Sequence, residues 1–328
     1  MKRLLRLGAL VVSTALAMVA LVMSCSGSTD SQTGDKTVID EAAVERAIDE
    51  MSAIIPICTN SSAAVASRVT APPSRLSRYF AFRYDPAFRA AYTQPEAGLG
   101  STKPADVLGD CGGRITYPSY SHSNGVTTGT YAFENYCTVD DDTGERQTLN
   151  GSISFVNTGT PSQSGPYTNK IEATSPGGVS AVFRSSAGAL LSSQRYTFED
   201  YVYTAGVPGG TPTASSPDRV SIVEFEMINE VTNKRYRGTD YQSAWYETTS
   251  GGSSQTLSGR SYRSNGEWFD VNTTQPFVTT ANGDIAGGQI TFTGANNSRA
   301  VLTFVPGSEL QATMTVNGTP VTSVPACR

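Results

Sequence analysis

Histidine is nearly absent from this chain: His122 is the only one in 328 residues. A Ser-His-Asp triad would have to use it. It stands in "SYSHSNG" beside Asn124-Gly125, a turn signal, and no G-x-S-x-G elbow occurs. No cysteine pair has C-x-x-C spacing, which with a single histidine argues against a zinc centre. The phosphate-binding glycine loops and the H-E-x-x-H helix motif are missing too. These absences point to a non-enzymatic protein without cofactor. Basic residues are also few: 24 Lys and Arg face 29 Asp and Glu, a net charge of −5. That balance argues against a nucleic-acid partner. Only one apolar run is long enough to approach a membrane span, and it lies at the very start.

That start is organised. Lys2, Arg3 and Arg6 form a short basic region, and an apolar stretch follows from Leu7 to about Val22. This is the layout of a secretory signal. It ends at "VMSC", Val22 to Cys25, which resembles the lipobox of bacterial lipoproteins, with Met23 bulkier than is usual there. The resemblance implies cleavage before Cys25, lipid on Cys25 and residence in the cell envelope. Because Ser26 and not Asp follows, it also implies the outer membrane of a Gram-negative cell. The competing reading is a plain transmembrane anchor over Leu4 to Met23. Loss of residues 1–24 removes Lys2, Arg3 and Arg6 and no acid, which moves the net charge from −5 to −8. Residues 25–37 then comprise the lipidated cysteine and a small, polar stretch, "SGSTDSQTGDKT", expected as a tether reaching about 20 Å on average.

Four cysteines remain: Cys58, Cys111, Cys137 and Cys327. An even number in an exported chain suggests two disulfides, with three possible pairings. Cys111–Cys137 and Cys58–Cys327 are the expected pair. The first closes a short loop worth about 3.5 kcal/mol, and the second ties the N-terminal region to the C-terminus.

Residues 38–111 read as a helical and irregular segment. Val44, Ala47, Ile48, Met51 and Ile55 share a helical face, which predicts a helix over 39–55 ended by Pro56. Farther on, Arg75, Arg78, Arg83 and Arg89 are interleaved with Tyr79, Phe80, Phe82, Tyr84 and Phe88. This mixture suits a surface facing anionic headgroups. The plainer reading has the aromatics in the core and the arginines paired with acids.

From Gly112 to Arg328 the pattern turns to strands. "SISFV", "QITFT", "RAVLTF" and "ATMTV" alternate apolar residues with Ser, Thr or Arg, the mark of antiparallel sheet with one wet face. Asn-Gly pairs begin at Asn124, Asn150, Asn265, Asn282 and Asn317, and each is a hairpin signal. The expected fold is mainly β: a large antiparallel meander, curled as a half-barrel or folded as a sandwich, with the one N-terminal helix packed on it. Three segments share Tyr-x-x-x-(Asn/Asp)-Tyr: Tyr131 to Tyr136, Tyr196 to Tyr201 and Tyr236 to Tyr241. The first and third run on into "QTLNG" and "QTLSG", so one strand–turn–strand unit is used more than once. "FENYC…LNGSISF" (133–155) and "GEWFDVNTTQPF…GGQITFTGANNSRAVLTF" (266–304) resemble segments of uncharacterised β-rich envelope lipoproteins. That resemblance implies a long meander and no particular activity.

Few side-chain groups could carry chemistry. Asp140 and Asp142, in "VDDDTGE", offer hard oxygen ligands for Ca²⁺, but the spacing fits a solvated hairpin turn better. Glu224 and Glu226 share one strand face, taken as the wet face, with Val223, Phe225 and Met227 opposite. Tyr241, Trp245, Tyr246 and Trp268 could form an exposed platform for a ligand or partner, though core packing is the commoner fate of such residues. The resulting expectation is a lipid-anchored module that binds or scaffolds an envelope protein or polymer. A carrier of a hydrophobic molecule in a β half-barrel is the alternative, and a hydrolase of envelope polymers a more remote one.

Overall fold

The computed structural model describes residues 35–40, 103, 105–139, 144–160, 167–208, 210–231, 233–262, 266–281, 284–307 and 311–320. The chain divides into two compact units, Phe82–Val231 and Met1–Ala81 with Thr232–Arg328. Among the described residues there is no α-helix, and every long element is a strand.

The first unit contains β1 (Val107–Leu108), β2 (Arg114–Ser123), β3 (Val126–Val139), β4 (Arg146–Thr160), β5 (Tyr167–Arg184), β6 (Leu190–Thr204) and β7 (Asp218–Asn229). Each pairs antiparallel with the next in sequence, giving an open meander. Strand begins at Val107, ahead of the expected Gly112. The alternation in "SISFV" is realised as drawn: Ile153 and Phe155 are buried while Ser152 and Ser154 are exposed. Tyr131 stacks on Phe155 at 4.4 Å between ring centres and meets Tyr117 edge-on at 5.7 Å. Cys111 and Cys137 form a disulfide that pins the chain before β2 to the end of β3.

The second unit contains β8 (Lys234–Glu247), β9 (Ser253–Tyr262), β10 (Trp268–Thr279), β11 (Ile285–Thr293), a 3-10 turn (Ala295–Asn297), β12 (Arg299–Val305), β13 (Gln311–Val316) and β14 (Thr319–Pro320). These too pair only with sequence neighbours inside the unit. One face carries Phe269, Val271, Phe277, Ile290, Phe292, Leu302, Phe304, Met314 and Val316, all buried. Gly288 shows why a glycine is needed in such a row. It adopts φ +152, and a Cβ there would stand 2.8 Å from the Phe277 Cα. The bare backbone lets Phe277 meet Phe304 edge-on at 5.1 Å.

The three tyrosine repeats have a common backbone cause. Asn135, Asp200 and Asp240, the fifth residue of each, adopt φ of 50°, 48° and 55°. All three are exposed and each sits in a β-bulge. Register slips by one residue between Phe133 and Tyr136 against β4, between Phe198 and Tyr201 against β5, and between Thr239 and Gln242 against β9. Two residues of the repeat therefore oppose one on the partner strand. Asn and Asp are the non-glycine residues that accept left-handed backbone most readily. The bulge also resets which residues face inward, so Tyr201 and Tyr241 enter the core immediately after it. The first and third copies bulge against the strand that follows, and the second against the strand that precedes.

Two expectations need correction. Asn124-Gly125 and Asn317-Gly318 make two-residue hairpin turns, with positive φ at both positions. Asn150-Gly151 does not turn at all; it lies inside β4, where the Asn150 side chain accepts from the Asn135 N–H at the bulge, 2.8 Å away. The β7 glutamates are also the other way round. Glu224 and Glu226 are half-buried, in phase with buried Val220 and Ile222, while Val223 is 52 % exposed. An alternation of Val, Glu, Phe and Glu does not itself say which side meets the core. The predicted helix lies outside the described residues except at Ile39 and Asp40, which are not helical.

Candidate functional site

The richest gathering of charged and aromatic side chains is at one end of the second unit. It is built around residues 35–40, a segment with no periodic pattern. β11 ends at Thr293, opposite Asp270, so β10 has an unfilled ladder position beside Trp268. The N-terminal segment fills it, with Lys36 bridged in parallel to Trp268. The Thr37 N–H donates to the Trp268 carbonyl at 2.8 Å, and the Trp268 N–H to the Asp35 carbonyl at 3.4 Å. The Ala295 N–H donates to the Thr37 carbonyl at 2.6 Å. Next, the Ile39 N–H donates to Ser298 Oγ at 2.8 Å, and Asn317 Nδ2 donates to the Ile39 carbonyl at 3.0 Å. Thr37 and Ile39 are buried. A Cβ on Gly294 would stand 2.3 Å from the Thr37 carbonyl oxygen, so this close approach depends on glycine. The strap therefore ties together the start of β10, the β11–β12 turn and the β13–β14 turn.

Side chains reinforce the strap. Arg260 on β9 lies over the Trp268 ring at 3.8 Å from its centre, and Lys36 approaches the same ring at 5.1 Å. Asp270 receives both cations, Lys36 Nζ at 2.7 Å and Arg260 Nε at 3.5 Å. Each such contact at a half-exposed site is worth no more than about 1 kcal/mol. Arg237 covers Tyr262 in the same manner, at 4.6 Å. Burial alone would lower the Arg260 pKa, but bonding to Tyr262 and the nearby Asp270 carboxylate carry it upward, so the guanidinium stays charged.

The four expected platform residues do not share a surface. Tyr241 and Trp245 are buried in the core, with the Tyr241 and Ser261 hydroxyls 2.8 Å apart. Only Tyr246 and Trp268 are part-exposed, and Trp268 is the one met by cations. Lys36, Arg237, Arg260 and Asp270 went unnoticed in the sequence, because cross-strand neighbours on four different segments leave no linear signal. His122 pairs through Nδ1 with Thr127 Oγ1 at 2.8 Å, a hairpin contact. Cys25, Cys58, Cys327, Arg75, Arg78, Arg83, Arg89, Asp140 and Asp142 lie outside the described residues. Among the described residues, no three His, Cys, Asp or Glu side chains gather as metal ligands would.

A second kind of feature is buried and polar. Gln147 on β4 is 1 % exposed, and both its amide atoms lack a protein partner. Its cross-strand neighbour Thr138 has an orphaned hydroxyl as well. In the other unit the Trp245 indole N–H and the Gln255 amide oxygen, on paired residues, are likewise unmet.

No family model matches this chain, and neither a curated protein nor a solved structure matches it.

Proposed function

We propose that this protein is a non-enzymatic cell-envelope lipoprotein, lipidated at Cys25, whose β-rich body binds or scaffolds another envelope protein or polymer. The observation that carries the reading is the docked strap. Ten to twelve positions after Cys25, at Asp35 and Thr37, the chain is fixed to Trp268 in the sheet by main-chain hydrogen bonds. An anchor at Cys25 would thus hold the folded body close to a bilayer. Two or more acyl chains, at about 0.8 kcal/mol per buried CH₂, make such attachment stable. The Cys111–Cys137 disulfide suits an exported protein. Fractionation of producing cells tests the reading. The wild type is expected in the membrane pellet and Cys25→Ser in the soluble extract; equal partitioning of the two would overturn it.

The carrier reading, with a sheet curled into a half-barrel around a hydrophobic cargo, has one observation in its favour. The orphaned Gln147 amide and Thr138 hydroxyl are what the polar end of a bound molecule would meet. In an empty, dry interior Gln147→Leu should stabilise the fold, because an unmet buried polar group costs about 1–3 kcal/mol. Native mass spectrometry of residues 26–328 separates the two readings. An added mass that denaturation removes favours the carrier; a bare mass favours the scaffold.

A further inference from the structure

We infer that the strap end of the second unit is its membrane-facing end, apposed to anionic lipid headgroups. The inference rests on lipidation of Cys25 as proposed above, and two independent observations support it. The first is chain length. Whatever its conformation, the stretch from Cys25 to Asp35 spans at most about 35 Å. β10 contains bulges and pairs end to end with nine steps of β9, from Tyr262 to Ser253, so its two ends stand about 30 Å apart. The strap grips β10 at Trp268, its first residue, so the chain from Cys25 joins the sheet at that end and not at the other. The opposite end carries the β8–β9 turn and the β10–β11 turn, a full strand length farther out.

The second observation is where the charge lies. Every lysine and arginine among the described residues of this unit sits at the strap end: Lys36, Lys234, Arg235, Arg237, Arg260 and Arg299. Register places them together. Arg237 pairs opposite Tyr262, and Trp268 pairs opposite Tyr262 from the other side. Arg299 begins β12 beside Thr293. Five acids among the described residues share this end, Asp35, Asp40, Asp240, Glu267 and Asp270, so six cations leave it a net of +1 against −2 at the far end, and Asp270 is engaged with Lys36 and Arg260. At the far end of β8 to β11, only Glu247 and Asp284 are charged, and both are acidic. Near anionic headgroups each cation gains about 1 kcal/mol within a Debye length of the surface, and each acid is repelled. The unit's charge polarity thus agrees with the direction set by the strap. Trp268 and Tyr262, half-buried aromatics beside arginines, are the residue types that suit this interface.

The two tryptophans of the chain make a direct test. Gln255 pairs with Trp245 on one side and Phe277 on the other, and Trp268 pairs with Tyr262, so the two tryptophans stand seven β9 steps, or about 23 Å, apart along the sheet. Lipidated full-length protein is reconstituted into vesicles of phosphatidylglycerol and phosphatidylethanolamine carrying a headgroup dansyl acceptor. Energy transfer is read from Trp245→Phe, which reports Trp268, and from Trp268→Phe, which reports Trp245. Transfer is expected to be several-fold higher from Trp268. Because Trp268→Phe removes a strap contact, Ile39→Asp is added in the Trp245→Phe background; releasing the strap should lower transfer from Trp268. Equal transfer from both tryptophans, or more from Trp245, in protein that is acylated and vesicle-bound overturns the orientation and leaves the lipoprotein reading standing. Protein that carries no acyl group and does not bind vesicles overturns both.

Discussion

Replacing the left-handed residues of the three repeats isolates a backbone effect from any packing effect. Asn135, Asp200 and Asp240 are exposed, so a new side chain there meets solvent whatever it is. Their φ values of 50°, 48° and 55° bring Cβ close to the following carbonyl oxygen. For a residue without a short polar side chain that costs roughly 1–2 kcal/mol, and for glycine nothing. Asn135→Ala and Asp200→Ala should therefore each destabilise by about 1 kcal/mol or somewhat more, and Asn135→Gly and Asp200→Gly by less than about 0.5 kcal/mol. β3 and β6 lie three strand spacings apart, about 14 Å, so the double alanine variant should lose the sum, about 2–4 kcal/mol. The assay is urea denaturation of the oxidised protein, with midpoint and slope followed together. Alanine and glycine variants of equal stability at all three positions would refute the claim that the repeat exists to build bulges. So would alanine variants as stable as wild type.

Other perturbations follow from the same structure. Gly294→Ala should push the strap away from the β11–β12 turn, and protection of the Thr37 and Ala295 amides from hydrogen exchange should fall while the rest of β10 to β13 stays protected. Asp218 is held above the usual carboxylate range by burial, even though the Gly206 N–H and Tyr203 hydroxyl donate to it and oppose the rise. A raised carboxyl favours folding below its unfolded pKa and loses that contribution as pH climbs through the folded value. Asp218→Asn should accordingly be as stable as wild type or more so at pH 7, measured by thermal unfolding. Burial pushes the Tyr117 hydroxyl up to about 12, against 10.0 when unfolded. Its contribution is intact below pH 10 and lost between pH 10 and 12, so stability should fall there by about 1–3 kcal/mol, and Tyr117→Phe should remove that part of the decline.

Much of this fold was legible because period-two alternation and antiparallel hairpins are local in sequence. Ile153 against Ser154, or Leu302 against Thr303, needs no knowledge of the partner strand. The Cys111–Cys137 bridge was legible for a similar reason, as both cysteines flank one hairpin. The tyrosine repeats were visible, but their cause was not. A left-handed residue in mid-strand looks in sequence like any Asn or Asp. Asn150-Gly151 misled for the complementary reason: the residues that make a tight turn also serve opposite a bulge. The site was much less legible than the fold. Arg260, Trp268 and Asp270 meet across β9 and β10, and Lys36 joins them only because the strap occupies the place β11 leaves vacant. Residues 26–37, polar and small, read as tether, whereas Lys36 and Thr37 are already part of the sheet.

Attachment of the body to a membrane through Cys25 is tested most directly by the N-terminus of the protein as cells make it. Top-down mass spectrometry of protein extracted from membranes of the producing cell should show a chain beginning at Cys25 and heavier than its polypeptide by two or more fatty acyl groups. A chain that begins at another residue, or a Cys25 without lipid, would contradict the account.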